Sequence, residues 1–194
     1  MMLDTTQRAS LEEAARHVQA ELLRVLEATL PREGVEPQII WRVKSDASIQ
    51  RKLAMRGEIA TADAFINDLL GFRIIVSHTG LLTGAVTTVR RWLVTRGRFH
   101  LTNERDYFSD PRTPFYRSIH IDALLTEGMV DGRAKAGVEF QITTYMQNYL
   151  AAISHDLRYE PRSSHHLVET RLLDEIVRNV ETVDAAVAAA FSKR

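Results

Sequence analysis

An α+β fold, a mixed β-sheet of about five strands flanked by helices, is what this 194-residue sequence predicts. Two observations lead there. Long stretches at both ends carry apolar residues at three- and four-residue steps, the spacing of an amphipathic helix. Between them lie short runs of bulky and β-branched residues, interleaved with further helical patterns in an order that suits a mixed sheet.

The elements follow in order. Leu11, Ala14, Ala15, Val18, Leu22, Val25, Leu26 and Leu30 predict a helix over residues 6–30, ended by Pro31 and Gly34. Residues 38–43 are short and β-prone, and Ser45 or Asp46 can cap a helix running to about Arg56. A helical turn or two begins at Thr61, and residues 71–77 read as a buried strand because Phe72, Ile74, Ile75 and Val76 are bulky or branched. Residues 81–94 have helical spacing. Residues 99–108 are mixed, and the loop Ser109-Asp110-Pro111-Arg112-Thr113-Pro114 precedes two predicted strands, 115–125 and 135–143, joined by a turn around Gly128 and Asp131-Gly132. A helix over 145–159, a break at Pro161 and a last helix over 165–191 complete the chain. The expected organisation is a helix over 1–36, a core over 37–160 and a C-terminal helix over 161–194.

Composition narrows the function. Lys+Arg and Asp+Glu both number 25, so no long-range field calls for nucleic acid or a membrane, and any cationic site is local. The chain has no cysteine, which excludes disulfides, thiolate metal sites and cysteine nucleophiles. No leader is visible at the start and no apolar run approaches the roughly 20 residues needed to span a bilayer. A soluble, cytoplasmic protein is expected. His165 and His166 lack a third ligand at zinc-binding spacing.

Four segments carry chemistry. Arg42 and Lys44 share a strand face by alternation, and Ser48 and Lys52 share a helix face one turn apart, so phosphate-binding groups converge where a strand feeds a helix N-terminus. A solvated basic face is the plainer origin of that pattern. Asp68 stands at the entry to a buried strand that Arg73 interrupts. Asp68 and Arg73 suit an internal ion pair, or Asp68 suits magnesium, with Arg73 over a base. Glu139 and Gln141 share the polar face of a strand whose other face carries Phe140 and Ile142. Glu139 beside phosphate suits a metal ligand or a general base. Tyr116, Ser118 and His120 alternate onto one face, where a tyrosine can stack on a purine. His155 and Tyr159, one helical turn apart, read as supports.

Taken in order, these segments resemble the synthetase domain of RelA/SpoT alarmone synthetases, especially the small single-domain forms. The pattern R-x-K-x-x-x-S-I-x-x-K is met by Arg42, Lys44, Ser48, Ile49 and Lys52, and D-x-x-G-x-R by Asp68, Gly71 and Arg73. Y-x-S-x-H is met by Tyr116, Ser118 and His120, and E-x-Q by Glu139 and Gln141. The resemblance implies a nucleotidyltransferase-like fold and Mg2+-dependent transfer of the β,γ-pyrophosphate of ATP to a nucleotide 3′-hydroxyl, releasing AMP. It implies that Arg42, Lys44, Ser48, Lys52 and Arg73 bind ATP, that Asp68 and Glu139 are catalytic and hold the metal, and that Tyr116, His120, Arg117 and Gln141 serve the acceptor.

Departures fall mainly on the acceptor side. Pro114 and Phe115 replace the N-G common before the tyrosine, Thr143 replaces an arginine after E-x-Q-I, and Ser154 replaces an acidic residue. GDP or GTP is the first acceptor the resemblance implies. Adenosine nucleotides, a tRNA 3′ end, or a catalytically inactive nucleotide- or RNA-binding regulator are the alternatives. Synthesis without hydrolysis is expected, and the alanine-rich stretch 182–190 offers a face for a homo-oligomer.

Overall fold

A computed structural model of the chain describes residues 3–32, 34–55, 57, 66–126, 136–159 and 166–192, with backbone alone at 155–159 and 166–170. Its sheet is mixed, with strand order β1-β2-β5-β4-β3. Strands β1 (Gln38–Val43) and β2 (Leu70–Val76) are antiparallel, and β2 runs parallel to β5 (Ala136–Thr144). Strand β4 (Ile119–Leu125) is antiparallel both to β5 and to the edge strand β3 (Phe99–Asp106). The helices are α1 (Thr5–Thr29), α2 (Asp46–Met55), α3 (Leu82–Arg96), α4 (Tyr145–Tyr159) and α5 (His166–Phe191).

One face of the sheet is apolar by alternation. Phe72 and Phe140 stack at 5.0 Å between ring centroids, and Trp92 of α3 meets Phe140 edge-on at 6.5 Å. Helix α1 closes the same face with Leu11, Val18, Leu22 and Leu26. It starts at a capping box, in which the Asp4 carboxylate accepts from Gln7 N and the Gln7 side chain accepts from Asp4 N. Its seat on β1 is fixed by Gln19, which donates to Ile39 O at 2.6 Å and accepts from Trp41 Nε1 at 3.0 Å. Each fully buried Phe contributes about 1.5–3 kcal/mol relative to exposure, so this face supplies most of the driving force for folding.

The structure departs from expectation at identifiable places. Residues 99–106 form a strand, with a register shift against β4 between Leu101 and Asn103, although their sequence reads as mixed. As a sheet edge, β3 is largely exposed and needs no alternating pattern. Residues 115–118 lie outside β4, which begins at Ile119. A single bridge, Thr113 to Tyr116, folds the preceding proline-containing segment instead. Ser45, and not Asp46, caps α2: its Oγ accepts from Ser48 N at 3.3 Å and its carbonyl from Ile49 N at 2.9 Å. Asp46 accepts from Leu3 N and from Arg8, tying the start of α1 to α2. The helical turn expected at Thr61, the turn at Gly128 and Asp131-Gly132, the break at Pro161, and His165 lie outside the described residues, as do the side chains of His155, Tyr159 and His166.

Candidate active site

Strand register builds the site. Across the sheet, Arg42 stands opposite Gly71, Gly71 opposite Glu139, and Glu139 opposite Asp122. Two residues along each strand, Arg73 stands opposite Gln141, Gln141 opposite His120, and His120 opposite Arg105. Because side chains repeat every two residues, these two rows share one face, the one opposite Phe72 and Phe140. Gly71 adds no side chain, leaving the floor open between Arg42 and Glu139. A cleft of about 170 Å³ lies there, lined by Arg42, Asp68, Gly71, Arg73, Glu139 and Gln141 among others.

At one end of the cleft two cations hold one carboxylate. Lys44 follows β1 and Asp68 precedes β2, so the antiparallel pairing brings them side by side: Lys44 Nζ donates to Asp68 Oδ2 at 2.6 Å. Lys52, in the second turn of α2, donates to Asp68 Oδ1, also at 2.6 Å. Burial opposes ionisation of Asp68, but the hydrogen bonds and charges of the two lysines outweigh it and its pKa lies below the ordinary aspartate value. Ser48 sits at the start of α2 with its hydroxyl on Ser45. Arg73 does not pair with Asp68. Its Nε and Nη2 donate to Gln141 Oε1 at 3.2 and 3.1 Å, and its Nη1 donates to Asn148 of α4 at 3.1 Å.

At the other end a chain of polar side chains terminates on Glu139. Gln141 Nε2 donates to Glu139 Oε2 at 2.6 Å, while Glu139 Oε1 lies 2.9 Å from His120 Nδ1 and 3.5 Å from Arg105 Nη2. Burial raises the pKa of Glu139, the bonds from His120 and Gln141 lower it further than burial raises it, and the group is held ionised. An ionised carboxylate only accepts, so His120 Nδ1 is the donor to it. In the neutral imidazole, Nε2 is then an acceptor for the Tyr116 hydroxyl at 2.8 Å. Burial raises the Tyr116 pKa, which keeps that proton in place.

The structure adds residues that sequence reasoning did not single out. Arg105 donates to Asp122 at 2.5 Å, next to Glu139. Burial, helped by the Glu139 charge, raises the Asp122 pKa against the pull of Arg105. Tyr107 packs edge-on to His120 at 4.9 Å and carries the Arg112 guanidinium over its ring at 5.0 Å. Asn148 is the partner that turns Arg73 toward Gln141. Arg117 turns toward α5, where it binds Glu181, and lines a small space shared with Tyr116, Gln141 and Asn148.

A protein-family model, described as a region found in RelA / SpoT proteins, matches residues 41–164, the span containing every residue above except those of α5. The chain belongs to the RelA/SpoT family. The RelA/SpoT-family chain is 30% identical over 122 residues to the GTP pyrophosphokinase YjbM of Bacillus subtilis, covering 63% of this chain and 56% of that protein. It is 31% identical over 119 residues to the chloroplastic GTP diphosphokinase CRSH2 of Oryza sativa, covering 60% of this chain and 21% of that one. It therefore spans about half or less of the length of these two curated relatives. Its fold is that of small alarmone synthetases of Bacillus subtilis. The TM-score is 0.74 at 23% identity to synthetase 1 bound to its product pppGpp, covering 96% of this chain and 93% of that one. To synthetase 2 it is 0.78 at 19% identity, covering 97% and 98%.

Proposed function

We propose that this chain transfers the β,γ-pyrophosphate of ATP to the 3′-hydroxyl of GDP or GTP and releases AMP. The observation that carries the reading is the cleft itself: two carboxylates, Asp68 just before β2 and Glu139 on the neighbouring β5, face it, with cations on one side and an aromatic, hydrogen-bonded acceptor side on the other. The names of the curated relatives favour a guanosine acceptor over adenosine nucleotides or tRNA.

Lys44 and Lys52 hold the triphosphate as point charges, while Arg42 and Arg73 supply planar forks for phosphate or base. Ser48, at the α2 N-terminus, adds a hydroxyl at the positive end of the helix. Without nucleotide both lysines neutralise Asp68; an arriving triphosphate competes for them and releases the carboxylate. Tyr116 stacks on the acceptor base, with Gln141 and Arg117 alongside. Glu139 accepts the proton of the attacking 3′-hydroxyl, and His120 and Gln141 hold it in the ionised form that can do so.

A Mg2+ ion fits this donor set. Both carboxylates are hard oxygen donors, and Glu139 feels the charge of Asp68. Among the described residues no group of three or more His, Cys, Asp or Glu forms a protein cage, which suits a cation that completes its shell with water and phosphate. Held by Asp68 and Glu139, it would neutralise charge developing on the transferred phosphates.

The test is product analysis. Purified protein with ATP, Mg2+ and a panel of GDP, GTP, AMP, ADP and tRNA is expected to yield AMP together with a 3′-pyrophosphorylated guanosine nucleotide, and to stop when the cation is chelated. Label on an adenosine nucleotide or RNA alone would reassign the acceptor. Nucleotide binding without AMP release would make the chain a regulator.

A further inference from the structure

Both neighbours of Tyr116 are held by the C-terminal helix. On one side Phe115 packs against Leu150 of α4 and Val177 and Val180 of α5, a small buried cluster separate from the main core. On the other side Arg117 donates to Glu181 of α5, with Nε at 2.8 Å and Nη2 at 2.5 Å, while its Nη1 donates to Phe108 O at 3.0 Å. Thr143 Oγ1 completes the fixation by donating to Arg117 O at 3.0 Å.

Helix α5 is itself locked in register one turn further on. Asp184, three residues after Glu181, is buried and accepts from Thr144 Oγ1 at 2.6 Å and from Thr79 N at 3.1 Å. The Thr144 hydroxyl also accepts from Gln147 N, capping α4. Asp184 thus anchors the helix at the end of β5, and Glu181 extends from the anchored turn to the segment bearing Tyr116. The two chain-specific departures at this place acquire a role. Phe115, where the resembling family has glycine, gives the segment an apolar anchor that glycine lacks, and Thr143, in place of arginine, ties it from beneath.

We propose that α5 presets the Tyr116 platform, with Glu181 as a positioning residue acting through Arg117. The idea rests on the reading of Tyr116 as the acceptor platform for its kinetic consequence, but not for its structural one. The Arg117–Glu181 pair is half-exposed, with side chains 24% and 40% accessible, so its loss should leave global stability nearly unchanged.

Hydrogen exchange on the full chain decides the structural part. Glu181→Gln is expected to speed exchange over residues 107–118 by about two- to fivefold, the loss of one partly exposed ion pair, with the melting temperature unchanged. Glu181→Asp should behave like the parent, and Phe115→Ala, which removes the apolar anchor, should open the segment more. In turnover assays Glu181→Gln should raise the KM for the guanosine acceptor by about the same factor and leave kcat and the KM for ATP alone. Unchanged exchange in Glu181→Gln, or an altered KM for ATP in place of the acceptor's, overturns the proposal. A parent protein that transfers no pyrophosphate sinks the proposed function instead, and the exchange result still decides whether α5 braces this segment.

Discussion

His120 Nδ1 and Glu139 Oε1 lie 2.9 Å apart, joining β4 to β5 across the polar face of the sheet, and the other imidazole nitrogen meets the Tyr116 hydroxyl at 2.8 Å. The Glu139 carboxylate and the Tyr116 ring are therefore parts of one hydrogen-bonded chain. Glu139→Gln keeps the side-chain volume but removes the anion proposed to accept the proton. Activity should fall by about 10²–10⁴, the usual span for a general base, while the melting temperature shifts little. Steady-state AMP release and a thermal melt on the same preparation check it.

Lys52 reaches Asp68 from α2, whereas Lys44 reaches it from the end of β1. Lys52→Ala leaves Asp68 with Lys44 alone and, on the proposed reading, takes one charge from the triphosphate. The KM for ATP should rise about tenfold, as expected for one lost charge-assisted contact, with the acceptor KM unaffected. Equal loss for both substrates would contradict the division of the cleft into donor and acceptor sides.

Gly137, near the start of β5, lies under the segment leading to Asp68. A Cβ there would come within 2.3 Å of Ile66 O and 2.4 Å of Asn67 Cα, both backbone atoms that have no rotamer to yield. Gly137→Ala should destabilise the chain by about 1–3 kcal/mol or more and shift Asp68 away from the cleft, readable by denaturant melts and by a raised KM for ATP.

Asp184 titrates against burial. Burial raises its pKa, and the bonds from Thr144 and Thr79 together with nearby His78 only partly offset that. The unfolded chain therefore loses this proton first as pH rises, and the carboxyl's contribution to stability declines from the ordinary aspartate value up through its raised folded value. Asp184→Asn cannot titrate. Denaturant melts from acid to neutral pH should show parent stability falling relative to the variant across that window, and a constant difference would refute the assignment.

How much of this was legible in the sequence depends on whether a residue's partner is local. The alternation of Glu139 and Gln141 against Phe140 and Ile142 identified a two-faced strand, and both apolar residues are fully buried. Arg42, Lys44, Lys52, Asp68 and Glu139 were each named from the chain, and the register gathers them around one cleft. Pairings between strands were not legible. Arg73 invited Asp68, five residues before it, yet finds Gln141 and Asn148, which only the parallel pairing of β2 with β5 and the packing of α4 bring near. Arg105 was missed because β3 is an exposed edge with no periodic signature, the buried Asp122 of β4 and Tyr107 because their partners come from neighbouring segments that the chain order does not show, and Glu181 because a carboxylate on a helix surface looks like any solvated charge.

The most direct measurement follows γ-labelled ATP incubated with GDP and Mg2+, with parent and Glu139→Gln proteins side by side. Label should move to the guanosine nucleotide with one AMP formed per transfer by the parent, and stay in ATP with the variant. Label released as inorganic phosphate with ADP as the partner product, or equal transfer by the two proteins, would contradict the assignment of this cleft to pyrophosphate transfer.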